Sequence, residues 1–237
     1  ALGAFGMSAI TAVTAQNSER VVAVHYLPPD FVAAQIDAVL SDYGAAAIKT
    51  GFLGRVEIIE AVAGRLVHWR ESLRSRPFLV VDPVLVNHRG EAMFAPEVIA
   101  AYRELLFPLA DLVTPNRREA ELLGLSTDGR RSVRPRTPTS SAGHPGVSRM
   151  LLKGTRRPDA IVDSFLDGGV LTELPQPTID TANTHGSGDT LSAAVCFFRA
   201  AGHDWLDAVR EAQAFTREAI RRGAAWRLGA GHGPLGY

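Results

Sequence analysis

The sequence predicts an α/β fold, a three-layer α/β/α sandwich with a mostly parallel central sheet. Strand-like apolar runs alternate along the chain with helical patterns, as they do in βαβ units. Three of these runs are almost continuously hydrophobic and stop at polar residues, which is typical of strands that are buried on both faces. The runs lead into Asp82, Asn116 and Lys153. Because the carboxyl ends of parallel strands share one edge of a sheet, we expect these side chains to converge.

Size and composition agree with one domain over residues 1–237, since a chain with 46% hydrophobic and 21% charged residues can bury a large core. The 25 basic and 25 acidic residues give no net charge, so neither nucleic acid nor an anionic membrane is expected as a partner. No apolar run reaches the ~18 residues of a membrane span, and no signal-like segment is seen. Cys196 is the single cysteine. Together these features predict a cytoplasmic protein with small-molecule partners.

The first elements are extended and then helical. Residues Gly6–Thr14 and Val21–His25 are rich in strand-forming types, which predicts extended structure. A helix is expected over Phe31–Leu40, with Asp30 as its N-cap. The next predicted elements are a strand at Ala45–Lys49, a helix at Arg55–Leu73 with its acidic residues early, and a strand at Phe78–Val84.

The second half of the chain continues the alternation. A helix is predicted at Pro96–Leu109, a strand at Leu112–Pro115 and a helix from Arg118 to Leu123. The remaining predictions are a strand at Met150–Gly154, a strand at Ile161–Leu166 followed by a hairpin turn at Asp167-Gly168-Gly169, and helices at Thr190–Ala200 and Trp205–Arg221.

One segment, Ser126–Arg149, departs from this pattern. It contains five arginines and three prolines with no helical or strand period, so we expect an irregular surface loop. A solvated insertion is the simpler interpretation, and an arginine-rich lid over phosphates is the alternative. A local disturbance of the reading frame would also produce such a composition.

The stretch Asn183–Thr190, NTHGSGDT, opens into a helical pattern of small residues. A glycine-rich turn at a helix start presents backbone N–H groups and the positive end of the helix dipole to an anion. Asp189 adds a carboxylate beside this anion hole, where it could take a proton from a hydroxyl that attacks a phosphoryl group. The alternative is that Asp189 is only a favourable first-turn residue.

Further motifs support the first interpretation. In order and spacing they resemble those of the hydroxymethylpyrimidine and hydroxymethylpyrimidine-phosphate kinases of thiamine biosynthesis, in the ribokinase-like superfamily. The resemblance covers nearly the whole chain except Ser126–Arg149. The matching segments are 1–17 (ALGAFGMSAITAVTAQN), 49–54 (KTGFLG), 80–84 (VVDPV), 112–121 (LVTPNRREAE), 152–154 (LKG), 179–194 (IDTANTHGSGDTLSAA) and 231–235 (GHGPL).

The resemblance implies a kinase that uses ATP and Mg²⁺, and it assigns roles to individual positions. Gln16 is implied to bind the aminopyrimidine through its carboxamide, with Phe52 and Val84 lining the pocket for the ring. The resemblance also implies that Asp82, Asn116 and Glu119 lie near Mg²⁺ and that Lys153 contacts the nucleotide phosphates. It implies that Gly186, Ser187 and Gly188 form the anion hole and that Asp189 is the base. For Asn116 and Glu119 a capping pair is a further interpretation, compatible with the first.

Two departures from the family keep other functions open. Many relatives carry cysteine at the position of Asp189, so a pyridoxal or pyridoxine kinase is the alternative substrate assignment. Relatives also begin about two dozen residues earlier, with a strand that the present sequence lacks, so we expect a ribokinase-like sheet without its N-terminal strand and with an exposed edge. A truncated, non-catalytic ligand-binding remnant, or a module of a larger polypeptide, is the third alternative. Relatives often form dimers, so a homodimer is expected here too.

Overall fold

The computed structural model describes residues 1–87, 90–125 and 147–237. The first two strands, β1 (Ala12–Gln16) and β2 (Val21–Tyr26), pair antiparallel as a separate hairpin. Most of the hairpin is exposed, and it is joined to the body of the protein where the Thr11 hydroxyl donates to the Phe52 carbonyl at 2.7 Å.

A six-stranded sheet forms the middle of the molecule, in the order β3-β4-β5-β6-β7-β8. The first four strands are parallel, whereas β6, β7 and β8 pair antiparallel. The strands are β3 (Ala47–Thr50), β4 (Phe78–Val81), β5 (Leu112–Val113), β6 (Arg149–Arg156), β7 (Ala160–Asp167) and β8 (Val170–Pro177).

Helices cover both faces of the sheet. They are α1 (Pro29–Asp42), α2 (Val56–Ser72), α3 (Pro96–Ala101, continued by a π-helical turn at Tyr102–Leu106), α4 (Arg117–Leu122), α5 (Ser187–Ala200) and α6 (Trp205–Gly223). Strand β4 shows how the layers form, because successive side chains of a strand point to opposite faces. Leu79 and Val81 pack into the core beneath α1 to α3, and Val80 packs against α5 and α6. The predicted three-layer α/β/α fold is thus confirmed.

Several predicted boundaries were wrong for physical reasons. Helix α1 begins after Pro28 and not after Asp30, whose carboxylate accepts a hydrogen bond from the adjacent Phe31 amide instead. Proline is favoured at the first helical position, so Pro29 extends the helix upstream. Strand β8 was not predicted because its two prolines are untypical of a strand, yet β8 lies at the edge of the sheet, where proline is tolerated.

The irregular segment predicted at Ser126–Arg149 lies mostly outside the described residues, which resume at Val147. Of its last three residues, Arg149 has regular structure, whereas Val147 and Ser148 do not. Val147 is buried in the core on the α1 to α3 side, and Arg149 is the first residue of β6. The apolar Val147 side chain therefore belongs to the packed domain.

Gly54, between β3 and α2, carries the first testable prediction. Its φ is +71°, and a Cβ there would lie 2.6 Å from the Tyr26 ring. We expect Gly54→Ala to lower the free energy of unfolding by about 1–3 kcal/mol, because it adds backbone strain to a steric overlap. The matched control is Gly64→Ala within α2, where a Cβ meets nothing within 4 Å and should stabilise by about 0.5–1 kcal/mol. Urea unfolding of both variants checks this, and equal effects would contradict it.

Candidate active site

A cleft lies along the carboxyl ends of β3 to β6 and is partly covered by the β1–β2 hairpin. Its volume is about 1380 Å³, and all of the predicted site residues line it. Typical ligand pockets measure about 300–1,000 Å³, so the cleft has room for two ligands side by side. The residues in question are Gln16, Phe52, Asp82, Val84, Asn116, Glu119, Lys153, Gly186, Ser187, Gly188 and Asp189.

The N-terminus of α5 forms one wall of the cleft. Gly186 is its N-cap residue with φ +82°, a left-handed conformation that favours glycine and turns the chain sharply into the helix. Among the described residues, the first-turn amides of Gly188 and Asp189 have no hydrogen-bond partner, as is usual at a helix start. The Ser187 amide differs from the prediction, because it already donates to the Thr184 carbonyl at 3.1 Å. The amides left for an anion are therefore those of Gly188 and Asp189.

Asp189 is held by an ion pair that the sequence analysis did not identify. The Lys49 Nζ, from β3, lies 2.7 Å from Asp189 Oδ1. The Asp189 side chain is 63% exposed and that of Lys49 only 18%, so the carboxylate faces the cleft with the ammonium beside it. A Cβ at Gly51 would stand 3.2 Å from the Lys49 Nζ, and glycine at this position leaves room for the pair.

A second lysine pair lies on the other side of the α5 turn. The Lys153 Nζ donates to Asp82 Oδ1 at 2.7 Å, and the Ser192 hydroxyl donates to Asp82 Oδ2 at 3.0 Å. Burial by itself lowers the Lys153 pKa, but the neighbouring carboxylates of Asp82 and Glu119 outweigh it and raise the pKa above its ordinary value. Lys153 therefore remains a cation, and a Cβ at Gly188 would come within 3.1 Å of its Nζ.

An interruption of the β6–β7 ladder places Lys153 in the cleft. The pairing register shifts between Leu152 and Thr155, and Gly154 has φ +70°. The strand was predicted to stop near Gly154, but it continues to Arg156 beyond this irregularity. Such bulges redirect a side chain without ending the strand. The Asp163 carboxylate fixes the bulge by accepting from the Gly154 amide and the Gln213 side chain, both at 2.7 Å.

Asn116 and Glu119 form the predicted capping pair of α4. The Asn116 side chain accepts from the Glu119 amide, and Glu119 Oε2 accepts from the Asn116 amide, both at 2.9 Å. Glu119 Oε1 also accepts from the Leu85 amide at 3.2 Å. Burial raises the Glu119 pKa above its ordinary value, although Lys153 and these amide bonds oppose the shift. The pair thus joins the loops after β4 and β5 at the base of the cleft.

The opposite end of the cleft is apolar. Phe52 stacks on Tyr26 with ring centroids 6.0 Å apart and also contacts Phe94 at 5.6 Å. Val84 lines the same region, and Gln16 lies at the end of β1, where the hairpin register is irregular. Flat apolar walls, in a cleft that a carboxamide also lines, suit a planar heteroaromatic ring.

At the rim of the cleft, the tip of the β1–β2 hairpin contacts the segment 229–231. The Ser18 hydroxyl, in the turn between β1 and β2, accepts from the Gly231 amide at 3.2 Å. A Cβ at Gly229 would stand 2.4 Å from the Ser18 hydroxyl oxygen, and one at Gly231 would stand 2.0 Å from the Ser18 carbonyl. Glycine at both positions therefore allows this close approach.

One sequence signal could have drawn attention to both lysines, although not to their partners. The chain has only two lysines against 23 arginines, and both lysines are paired with an aspartate in or beside the cleft. No sequence signal pointed to a site role for Ser192, because a serine among small helical residues is usually interpreted as a packing residue. Within the described ranges, none of the helices combines the length and apolar character that crossing a bilayer requires.

The fold and the cleft place the chain among the kinases of ribokinase-like fold. The structure is similar to that of Bacillus subtilis pyridoxal kinase in complex with ADP, with a TM-score of 0.82 and 30% identity over 99% of this chain and 87% of that one. It is also similar to phosphomethylpyrimidine kinase from Clostridium difficile 630, with a TM-score of 0.72 and 30% identity over 92% and 88% of the two chains.

Sequence comparison identifies the family. The chain belongs to the phosphomethylpyrimidine kinase family, which it matches over residues 1–236. It is 39% identical to the hydroxymethylpyrimidine/phosphomethylpyrimidine kinase of Rhizobium meliloti (strain 1021), over 99% of this chain and 86% of that protein. The predicted family and its kinase character are confirmed.

Proposed function

We propose that the chain transfers the γ-phosphoryl group of ATP to 4-amino-5-hydroxymethyl-2-methylpyrimidine, to its monophosphate, or to both, in thiamine diphosphate biosynthesis. The observation that carries the proposal is the position of Asp189, which lies at the anion-binding start of α5 and in one cleft with Lys153 and the apolar ring pocket. The name of the Rhizobium meliloti relative supports the same substrates.

In the proposed mechanism the nucleotide phosphates lie against the start of α5. The free amides of Gly188 and Asp189 would donate to the transferred phosphoryl group, Gly186 would shape the turn, and the Ser187 hydroxyl would complete the anion hole. Lys153 would contact the phosphate oxygens as a mobile point charge. Asp189 would take the proton of the acceptor hydroxyl as that oxygen attacks the γ-phosphorus and the bond to the ADP oxygen breaks.

The acceptor would occupy the apolar end of the cleft. Phe52 and Val84 would contact the faces of the pyrimidine, and the Gln16 carboxamide would offer a donor and an acceptor to its amino and ring-nitrogen edge. This arrangement would direct the hydroxymethyl group towards Asp189.

The residues around Asp82 fit a hydrated Mg²⁺ better than a fully protein-bound one. The oxygens of Asp82 and Glu119 already accept hydrogen bonds, and no cluster of three or more His, Cys, Asp or Glu side chains in the described ranges is arranged to hold a metal ion. Mg²⁺ commonly keeps several waters and binds through few carboxylates and the substrate phosphates. We propose that Asp82, Asn116 and Glu119 hold those waters, and that the ion neutralises phosphate charge when bound.

Pyridoxal kinase activity is the second candidate. The observation that favours it is the similarity to Staphylococcus aureus pyridoxal kinase in complex with AMP-PCP and pyridoxal, with a TM-score of 0.77 and 28% identity over 99% of this chain and 82% of that one. Pyridoxal also carries a hydroxymethyl group on a flat heteroaromatic ring, so the same cleft chemistry would serve.

A coupled ADP-release assay with Mg-ATP separates these functions. We expect turnover of hydroxymethylpyrimidine, of its monophosphate, or of both. Turnover of pyridoxal alone would move the assignment to the second candidate. A folded protein that turns over none of the three would instead support a ligand-binding remnant, which a thermal-shift titration would detect because ligands stabilise the native state by mass action.

The proposal includes a cytoplasmic location, since ATP is the phosphoryl donor and the buried Cys196 thiol is free. It also includes a homodimer, for which the exposed Val13 side chain, on the hairpin face opposite the cleft-lining Thr14 and Val24, offers an apolar contact. Light scattering of the purified chain would test the association.

A further inference from the structure

The Lys49–Asp189 pair has no assigned part in the reaction. Lys49 lies behind Asp189 as seen from the cleft, because Asp189 lines the cleft and Lys49 does not. The Lys49 ammonium engages Asp189 Oδ1, at 2.7 Å, and within the described ranges no hydrogen bond is seen to Oδ2. Lys49 therefore cancels the charge of Asp189 without occupying the position of the substrate.

The two acceptors of the proposed function place opposite demands on Asp189. A neutral hydroxymethyl group must lose a proton, which the carboxylate can accept. A monophosphate already carries a nucleophilic oxygen anion, so it has no proton to lose, and a bare carboxylate repels it. At about 4 Å, two like charges near a protein surface repel by several kcal/mol at an effective dielectric constant of about 20, and by less where water screens them.

We propose that Lys49 is the positioning residue that lets this cleft accept a phosphorylated acceptor, by neutralising Asp189. The inference rests on the proposed function and extends it to the choice between the two acceptors. Lysine suits this position because its ammonium is a compact point charge that fits beside Gly51, whereas every other basic residue of the chain except Lys153 is an arginine or histidine.

Both transfers balance with the groups present. With the alcohol, the hydroxymethyl oxygen forms a bond to the γ-phosphorus, its proton goes to Asp189, and the bond from the γ-phosphorus to the bridging oxygen of ADP breaks. With the monophosphate, a phosphate oxygen forms the new bond, the same bond to ADP breaks, and no proton needs a base. Lys49 therefore matters most to the second transfer.

The test compares Lys49→Met with the unaltered protein on both acceptors. We expect KM and Kd for the monophosphate to rise about 10- to 30-fold in Lys49→Met, with a smaller rise at high salt, because the Asp189 charge then lacks its partner at 2.7 Å. For the alcohol both constants should change by less than about 3-fold. Lys49→Arg keeps the charge but not the compact ammonium that fits beside Gly51, so it should restore only part of the monophosphate binding. Arg65→Met, which removes an ion pair to Asp37 on α1, is the control for ion-pair loss elsewhere.

A double variant decides how Lys49 acts. The Asp189→Asn/Lys49→Met variant carries neither charge, so it should bind the monophosphate about as tightly as the unaltered protein, in which the two charges oppose each other. A double variant that binds as weakly as Lys49→Met alone, or equal losses for both acceptors, overturns the inference. Calorimetric binding of the monophosphate without ATP needs no turnover. It therefore decides the role of Lys49 even if the ADP-release assay contradicts the proposed kinase activity.

Discussion

Asp189→Asn is expected to lower kcat for the hydroxymethyl acceptor by about 10²- to 10⁴-fold, the usual contribution of a positioned general base. Asparagine keeps the size and the polar contact to Lys49 but cannot take a proton. The loss should be much smaller for the monophosphate, which needs no base. ADP release with each acceptor at saturating Mg-ATP measures both rates.

The matched control for this substitution is Asp207→Asn. Asp207 occupies the same first-turn position of α6 that Asp189 occupies in α5, but it does not line the cleft. Both changes remove an interaction with the helix dipole worth ~0.3–1 kcal/mol, and Asp189→Asn also leaves the Lys49 ammonium, 18% exposed, without its carboxylate. Only the change at position 189 should affect turnover. Activity of Asp189→Asn with the alcohol at the level of Asp207→Asn would show that Asp189 is merely a helix-start residue.

Lys153→Met is expected to lower the free energy of unfolding by about 3–5 kcal/mol, because it leaves the Asp82 carboxylate buried without its cation. The Asp82 side chain is only 3% exposed and that of Lys153 13%, so solvent screens this pair weakly. In contrast, Arg157→Met breaks an exposed pair with Glu173 and should cost about 0–1 kcal/mol. Urea unfolding at neutral pH gives both values.

The pH dependence of Lys153→Met follows from the raised pKa of Lys153. A cation whose folded-state pKa is raised contributes its full stabilisation below the unfolded value, here 10.5, and loses it as the pH rises through the folded value. The stability difference between Lys153→Met and the unaltered protein should therefore be constant at neutral pH and narrow above pH 10.5. A difference that does not change at alkaline pH would contradict the ion-pair explanation.

A double variant separates the structural role of Lys153 from its proposed catalytic role. Lys153→Met with Asp82→Asn removes both charges and should recover most of the lost stability, since a neutral buried pair avoids the uncompensated carboxylate. Phosphoryl transfer should stay low, because the cation for the phosphates is still missing. Recovery of activity together with stability would show that Lys153 acts only on the fold.

The sequence predicted the layers well, and the residues that it proposed for the site line one cleft, because both results depend on local patterns. Continuous apolar strands followed by Asp82 and Asn116 indicate a buried parallel sheet with polar groups at one edge. The glycine-rich turn before Asp189 likewise indicates a helix start. Each of these signals lies within a few residues of the feature that it predicts.

What the sequence could not provide were contacts between distant segments. The Lys49–Asp189 pair joins residues 140 positions apart, and Ser192 reaches Asp82 across 110 positions. The bulge at Lys153 depends on Asp163 and Gln213, which belong to different elements. The engaged amide of Ser187 depends on the path of the preceding loop. Such features follow from the assembled fold rather than from any local pattern.

The hydrogen bond between the Gly231 amide and the Ser18 hydroxyl has a consequence for the synthesis of the protein. Its partners are 213 residues apart, so they cannot meet until almost the whole described chain has left the ribosome. Contacts of such long sequence separation are costly in loop-closure entropy and tend to form late in folding. The buried residues of the core beneath α1 to α3 lie between Val32 and Val147, so this half can assemble earlier in synthesis, whereas the rim of the cleft also needs the segment around Gly231. A growing chain could therefore pack this half of the core before it could enclose a substrate.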